Sequence, residues 1–110
     1  MRDRLGELLR ALETELRAQG RWENLAPPPQ ALTSTQPFAV DTLDFDQWLQ
    51  WILLPRMNEL LVSQLPLPGN SAIAPMAEEV YDAADPGATR IIMIITDIDL
   101  LLCADGGRLN

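Results

Sequence analysis

The 110-residue chain has no histidine, no lysine, a single cysteine and only six aromatic side chains. Without histidine there is no imidazole base, no Ser-His or Cys-His nucleophile and no imidazole metal ligand. Without lysine there is no Schiff-base amine and no phosphate-loop cation. Cys103 alone permits neither an internal disulfide nor a CxxC metal or redox pair. A long apolar run is also missing: residues 91–104 come nearest, but Thr96, Asp97 and Asp99 interrupt them. That stretch falls short of the ~20 residues a membrane helix needs. No apolar h-region follows the charged N-terminal residues, so no signal peptide is expected and the chain reads as cytoplasmic.

Positive charge is scarce and unevenly placed. Residues 1–23 carry five arginines against five acids; residues 24–110 carry three against eleven, which accounts for the formal charge of −8. Tracking a phosphate backbone needs a basic stripe, so direct nucleic-acid binding is not expected. An acidic surface suits a basic protein partner, and it also simply favours solubility. What is present is ordinary globular material, with 47% hydrophobic and 22% charged residues, enough for one domain spanning 1–110.

Periodicity predicts an all-α fold, a single-domain bundle of about four helices. Leu5, Leu8, Leu9, Leu12 and Leu16 make one apolar stripe over residues 2–19, with Gly20 as a stop. Residues 21–43, containing Pro27-Pro28-Pro29 and Pro37, form a long proline-rich loop that Leu32, Phe38 and Val40 are expected to pin down. A second helix over 44–64 starts at Asp44, with Gln47 at capping-box spacing, and is kinked by Pro55 near Trp51. Two short helices parted at Leu54-Pro55 are the alternative. Pro66-Leu67-Pro68-Gly69-Asn70 is a break. A short helix follows over 75–84, and Asp85-Pro86 opens a last one over 86–104, ended by Gly106-Gly107. Isoleucines in 90–96 favour a strand by propensity, but a lone strand has no pairing partner, so a helix is expected, the central and most buried one.

The residues that carry chemistry elsewhere have plainer roles here. Asp41, Asp44 and Asp46 lack the remaining ligands of a calcium loop and read as helix capping, so no metal and no cofactor are expected. Asp97 and Asp99 lie about 200° apart on a helix and read as a solvated edge, not an acid–base pair. Trp48 and Trp51 read as core, or as interface anchors if exposed. The hydroxyls of Thr33, Ser34 and Thr35 have no activating base, and Cys103 reads as an inert core residue. No catalytic residue is identified, and the chain is expected not to be an enzyme.

Four blocks resemble the YqcC-like family of small bacterial proteins: Leu32-Thr33-Ser34-Thr35-Gln36-Pro37-Phe38, Trp48-Leu49-Gln50-Trp51-Ile52-Leu53-Leu54-Pro55-Arg56-Met57, Leu65-Pro66-Leu67-Pro68-Gly69 and Ala72-Ile73-Ala74-Pro75. Order and spacing match across residues 5–104, with Met76 where the family often carries tyrosine. The resemblance implies a four-helix bundle. It also implies a helper or binding partner of a C-type tRNA pseudouridine synthase, beside whose gene members are commonly encoded. The expected interaction surface is Thr33, Ser34, Thr35, Gln36 and Phe38 together with Gln50, Trp51 and Arg56; the equal alternative is that these residues are structural, with Arg56 hydrogen-bonding the loop backbone. The alternative is a small-molecule or peptide binder that uses a groove opened by Pro55.

Overall fold

A computed structural model describes residues 2–69 and 71–108, with side chains described as far as Cys103. Among the described residues it contains four α-helices, counting 45–62 as one, and no strand. The first, α1 (Arg2–Ala18), buries Leu5, Leu8, Leu9, Leu12 and Leu16, the stripe read from the sequence. It closes in a Schellman motif: Arg21 N–H donates to Leu16 O at 2.9 Å and Gly20 N–H to Arg17 O at 3.2 Å. Gly20 sits at φ 72°, where a side chain is strained.

The second helix, α2, covers residues 45–62 without interruption. It consists of Phe45–Trp48, a π-helical turn Leu49–Leu53, and Leu54–Val62. The expected kink at Pro55 is therefore a widened turn just before the proline, and the helix is not split in two. One reason is local. Pro55 has no N–H, and its ring opposes the carbonyl of Trp51 four residues back, whereas in the wide turn Leu54 N–H reaches Leu49 O. The capping box at the start forms, with Asp44 N–H donating to Gln47 Oε1 at 2.8 Å. At the other end Ser63 caps and Gln64 turns left-handed at φ 54°. There Arg2 of α1 donates at 3.2 Å to Leu60 O, which also accepts Leu65 N–H, and at 2.6 Å to Leu65 O beyond the helix end.

α3 (Ala74–Val80) is shorter than expected, because Tyr81 turns extended and carries its ring to Phe45. α4 (Pro86–Arg108) starts as the sequence predicts, Asp85 Oδ1 accepting Gly87 N–H at 2.9 Å. It does not stop at residue 104. The helix passes through Gly106-Gly107 to Arg108, since glycine weakens a helix by only ~1 kcal/mol without forbidding it. Asn70, the last residue of the expected break, lies outside the described residues.

The core is the seam between α1 and α4, closed by α2. Ile91, Ile95, Ile98 and Leu102 are buried there, so the isoleucine segment is helix and not strand. Burial is one-sided, however. Met93 and Leu100 are 62% and 63% exposed, so α4 is not enclosed all round. Two further expectations need correction. Asp99 is no solvated edge: it is buried and accepts Ser71 Oγ–H and, at 2.7 Å, Ala74 N–H, capping α3 from another helix. Cys103 is exposed, not core, its Sγ 3.3 Å from Ser71 O.

Candidate functional site

Residues 21–43 arrange everything of interest around α2. The segment is no featureless strap, since it contains two 3-10 turns, Pro29–Thr33 and Pro37–Ala39. Phe38 and Leu32 are half-buried as expected, but Val40 is 58% exposed, and its neighbours Ala39 and Leu43 hold the chain down instead. Burying those two requires an unusual backbone: Phe38 and Ala39 are both left-handed, at φ 57° and 50°. Such geometry persists only when surrounding contacts over-determine it. Here the Phe38 ring is fixed edge-on against Trp48 at 4.8 Å and beside Phe45 at 6.2 Å.

The structure separates the sequence-predicted site residues into three places. Thr33, Ser34, Thr35 and Gln36 form the outer turn of the loop. Thr33 Oγ donates to Gln30 O, Ser34 Oγ donates to Asp41 and accepts Gln36 N–H at 3.1 Å, and Thr35 is exposed. Phe38 and Arg56 line an apolar groove of about 420 Å³ with Trp48, Leu53, Met57 and Ile73. Arg56 is exposed at this groove and makes no hydrogen bond or ion pair among the described residues. Gln50 and Trp51 lie on a separate flank of α2, at a cleft of about 380 Å³ that Trp22, Glu23, Pro55 and Asn58 also line.

The cleft is organised by polar contacts. Gln50 is buried and pairs its amide with the backbone of Glu23: Glu23 N–H donates to Gln50 Oε1 at 2.8 Å, and Gln50 Nε2 donates to Glu23 O at 2.7 Å. The Glu23 carboxylate then accepts Trp51 Nε1–H at 3.2 Å and Gln47 Nε2–H at 3.2 and 3.3 Å. The wide turn spreads the two tryptophans: Trp48 faces the Phe38 groove, while Trp51 reaches Glu23. Sequence reasoning missed Glu23 and Trp22. The signal was faint, because a glutamate at the end of a charge-rich segment reads as solvated.

A second polar knot ties the helix ends together. Arg21 bonds Asp46 at 3.1 Å and Asp85 at 2.9 Å, and lies 5.0 Å over the Tyr81 ring. Tyr81 donates its hydroxyl to Asp46, and Gln19 Nε2 donates to Gly87 O at 2.9 Å. Burial pushes the Tyr81 hydroxyl far above its ordinary range, helped by the Asp46 carboxylate and opposed by Arg21. Burial tends to lower the Arg21 pKa, but the Asp46 hydrogen bond and nearby negative charge outweigh it and raise the value. Thus Asp46 serves the knot, Asp44 caps α2, and Asp41 accepts Ser34. Among the described residues no group of three or more His, Cys, Asp or Glu could hold a metal, and no helix is long and apolar enough to cross a membrane.

These features define a small all-α domain that surrounds one π-turned helix with two open surfaces. A family profile described as DUF446, tRNA pseudouridine synthase C, matches residues 4–101. The uncharacterised protein YqcC of Escherichia coli (strain K12) is 41% identical over 103 residues, 94% of each chain. The solution NMR structure of E. coli YqcC matches with a TM-score of 0.82 at 40% identity, covering 93% of this chain and 87% of that one. A tRNA pseudouridine synthase C of Pectobacterium carotovorum subsp. carotovorum is 46% identical over 57 residues, 52% of this chain but 15% of that protein. The chain belongs to the YqcC-like, DUF446 family.

Proposed function

We propose that this chain is a non-enzymatic interaction domain that binds and assists a C-type tRNA pseudouridine synthase. One observation carries the reading. In Pectobacterium a segment 46% identical to half of this chain makes up 15% of a protein named tRNA pseudouridine synthase C. A segment of this kind therefore exists in one polypeptide with a far longer remainder. Covalent linkage holds two units at high effective concentration, and separate chains must reach the same end through a binding surface. The composition agrees: with no histidine and no lysine the chain has few means of catalysis, and a net charge of −8 complements a basic, RNA-handling partner.

Affinity capture of the tagged chain from native lysate tests the reading, with quantification of the synthase's tRNA product in a deletion strain. The synthase should co-purify in a salt-sensitive manner, and deletion should lower the modification. Absence of a complex together with unchanged modification would end it. The second reading, a small-molecule or peptide binder, is favoured by the apolar groove at Phe38, Trp48 and Met57. A saturable ligand-induced rise in melting temperature, lost in Trp48→Ala, distinguishes it from the first.

A further inference from the structure

Gln50, 4% exposed, fixes the backbone of residue 23 by a two-bond clamp. The carboxylate is then aimed by neutral donors only, Trp51 Nε1 and Gln47 Nε2, and has no cationic partner among the described residues. Oε1 accepts from both donors, whereas Oε2 takes only the 3.3 Å contact, so it retains acceptor capacity. Two indoles, Trp22 and Trp51, line the same cleft, and it is open enough, at about 380 Å³, for a side chain.

A carboxylate with spare lone pairs in a cleft that an indole also lines is the environment a guanidinium favours, because that group stacks on aromatic faces and hydrogen-bonds carboxylates in a fork. The protein itself shows the affinity at the cleft's edge: Arg17 lies 4.3 Å above the Trp22 ring while bonding Glu13 at 2.9 Å. That pair is internally neutral, so the charge left in the cleft is that of Glu23. The widened turn Leu49–Leu53 is what brings Gln50 and Trp51 to this surface, and such turns are frequent at functional sites.

We propose that this cleft receives an arginine side chain of a basic protein partner, with Glu23 as its counter-ion and Trp51 as its stacking wall. The inference deepens the reading above by naming the grip, and it depends on that reading only for the partner's identity. The chemistry of the site stands by itself.

The test uses the full chain and N-acetyl-arginine amide as probe, with N-acetyl-citrulline amide as its uncharged isostere. The Trp51 indole Nε1–H resonance is followed by NMR at low salt and assigned through Trp51→Phe. A saturable shift with the arginine probe, absent with citrulline and weakened at least tenfold in Glu23→Gln, is expected. The glutamine variant keeps an acceptor for Trp51 and so keeps the fold, which thermal melting verifies. No saturable shift, an equal response to citrulline, or unchanged binding in Glu23→Gln overturns the proposal. Capture of the synthase separates the two readings. Capture reduced in Glu23→Gln supports both; equal capture by variant and wild type overturns this proposal alone. Arginine binding without any synthase capture overturns only the choice of partner.

Discussion

The two flanks of α2 carry cavities of similar size, about 380 and 420 Å³, yet they are held open by different forces. On the Glu23 side, directional hydrogen bonds fix a backbone segment and then a carboxylate. On the Phe38 side, aromatic packing fixes a backbone that would otherwise leave its left-handed conformation. The difference teaches that one helix presents two unlike surfaces because its π turn changes phase between them. Trp48 precedes the turn and serves the apolar groove; Trp51 lies within it and serves the polar cleft.

Removing what the flanks share should have the largest effect. Leu49 is fully buried at the start of the turn, on the helix that carries both surfaces. Leu49→Ala should cost about 3 kcal/mol, the usual range for a large core truncation. Urea denaturation measures the loss, and both Trp48 and Trp51 signals should change. Breaking the polar flank alone comes next. Gln50→Ala leaves the part-buried N–H and C=O of Glu23 without their side-chain partner and should cost about 1–2 kcal/mol. The Trp51 indole resonance should move while the Phe38–Trp48 contacts persist; movement of both would mean the flanks are one unit.

The sequence made the helices legible because each apolar stripe is local information. Leu5 to Leu16 declare a face at steps of three and four, and Asp85-Pro86 declares a start. The cleft was not legible for the same reason inverted. Gln50 and Glu23 are partners 27 residues apart, and nothing in a glutamine says that its amide will pair with a distant backbone. Asp99 was misread likewise, since its value lies in a cap for Ala74 on another helix. Trp51 and Arg56 were placed on one expected surface, but they line different cavities, as residues five apart, about 140° around an α-helix, are bound to do. Val40 was chosen for its hydrophobicity, whereas the left-handed pair Phe38 and Ala39 turns that side chain outward and puts Ala39 inside.

The apolar flank breaks with a smaller effect. Phe38→Ala removes an edge-on aromatic contact with Trp48, worth about 1 kcal/mol beyond the half-buried ring area lost with it, measured by chemical denaturation. It should leave the Trp51 resonance unchanged. The polar knot at the helix ends supplies a pH-dependent test. Tyr81 holds its proton more tightly folded than unfolded, so its contribution is fully present below the ordinary phenol value of about 10. As pH rises above that value, the unfolded chain releases the proton and the folded one does not. Stability should therefore fall from about pH 10 upward, and Tyr81→Phe should flatten that part of the profile in pH-dependent melts.

The smallest effect is expected at Pro55, although it lies closest to the boundary between the flanks. A π turn is one inserted residue, and deleting it rotates one half of the helix by about 100° against the other. The N-terminal half is held in phase by Phe45, Leu49 and Gln50, the C-terminal half by Leu53, Leu54 and Met57, all buried. Rotation would expose one of those sets. The core, and not only the missing proline N–H, therefore maintains the wide turn. Pro55→Ala should keep the Trp51–Glu23 bond and the indole resonance in place, with stability changed by less than about 1 kcal/mol. If the resonance instead moves to that of a free indole, the proline sets the phase, and the polar cleft exists only because residue 55 cannot donate.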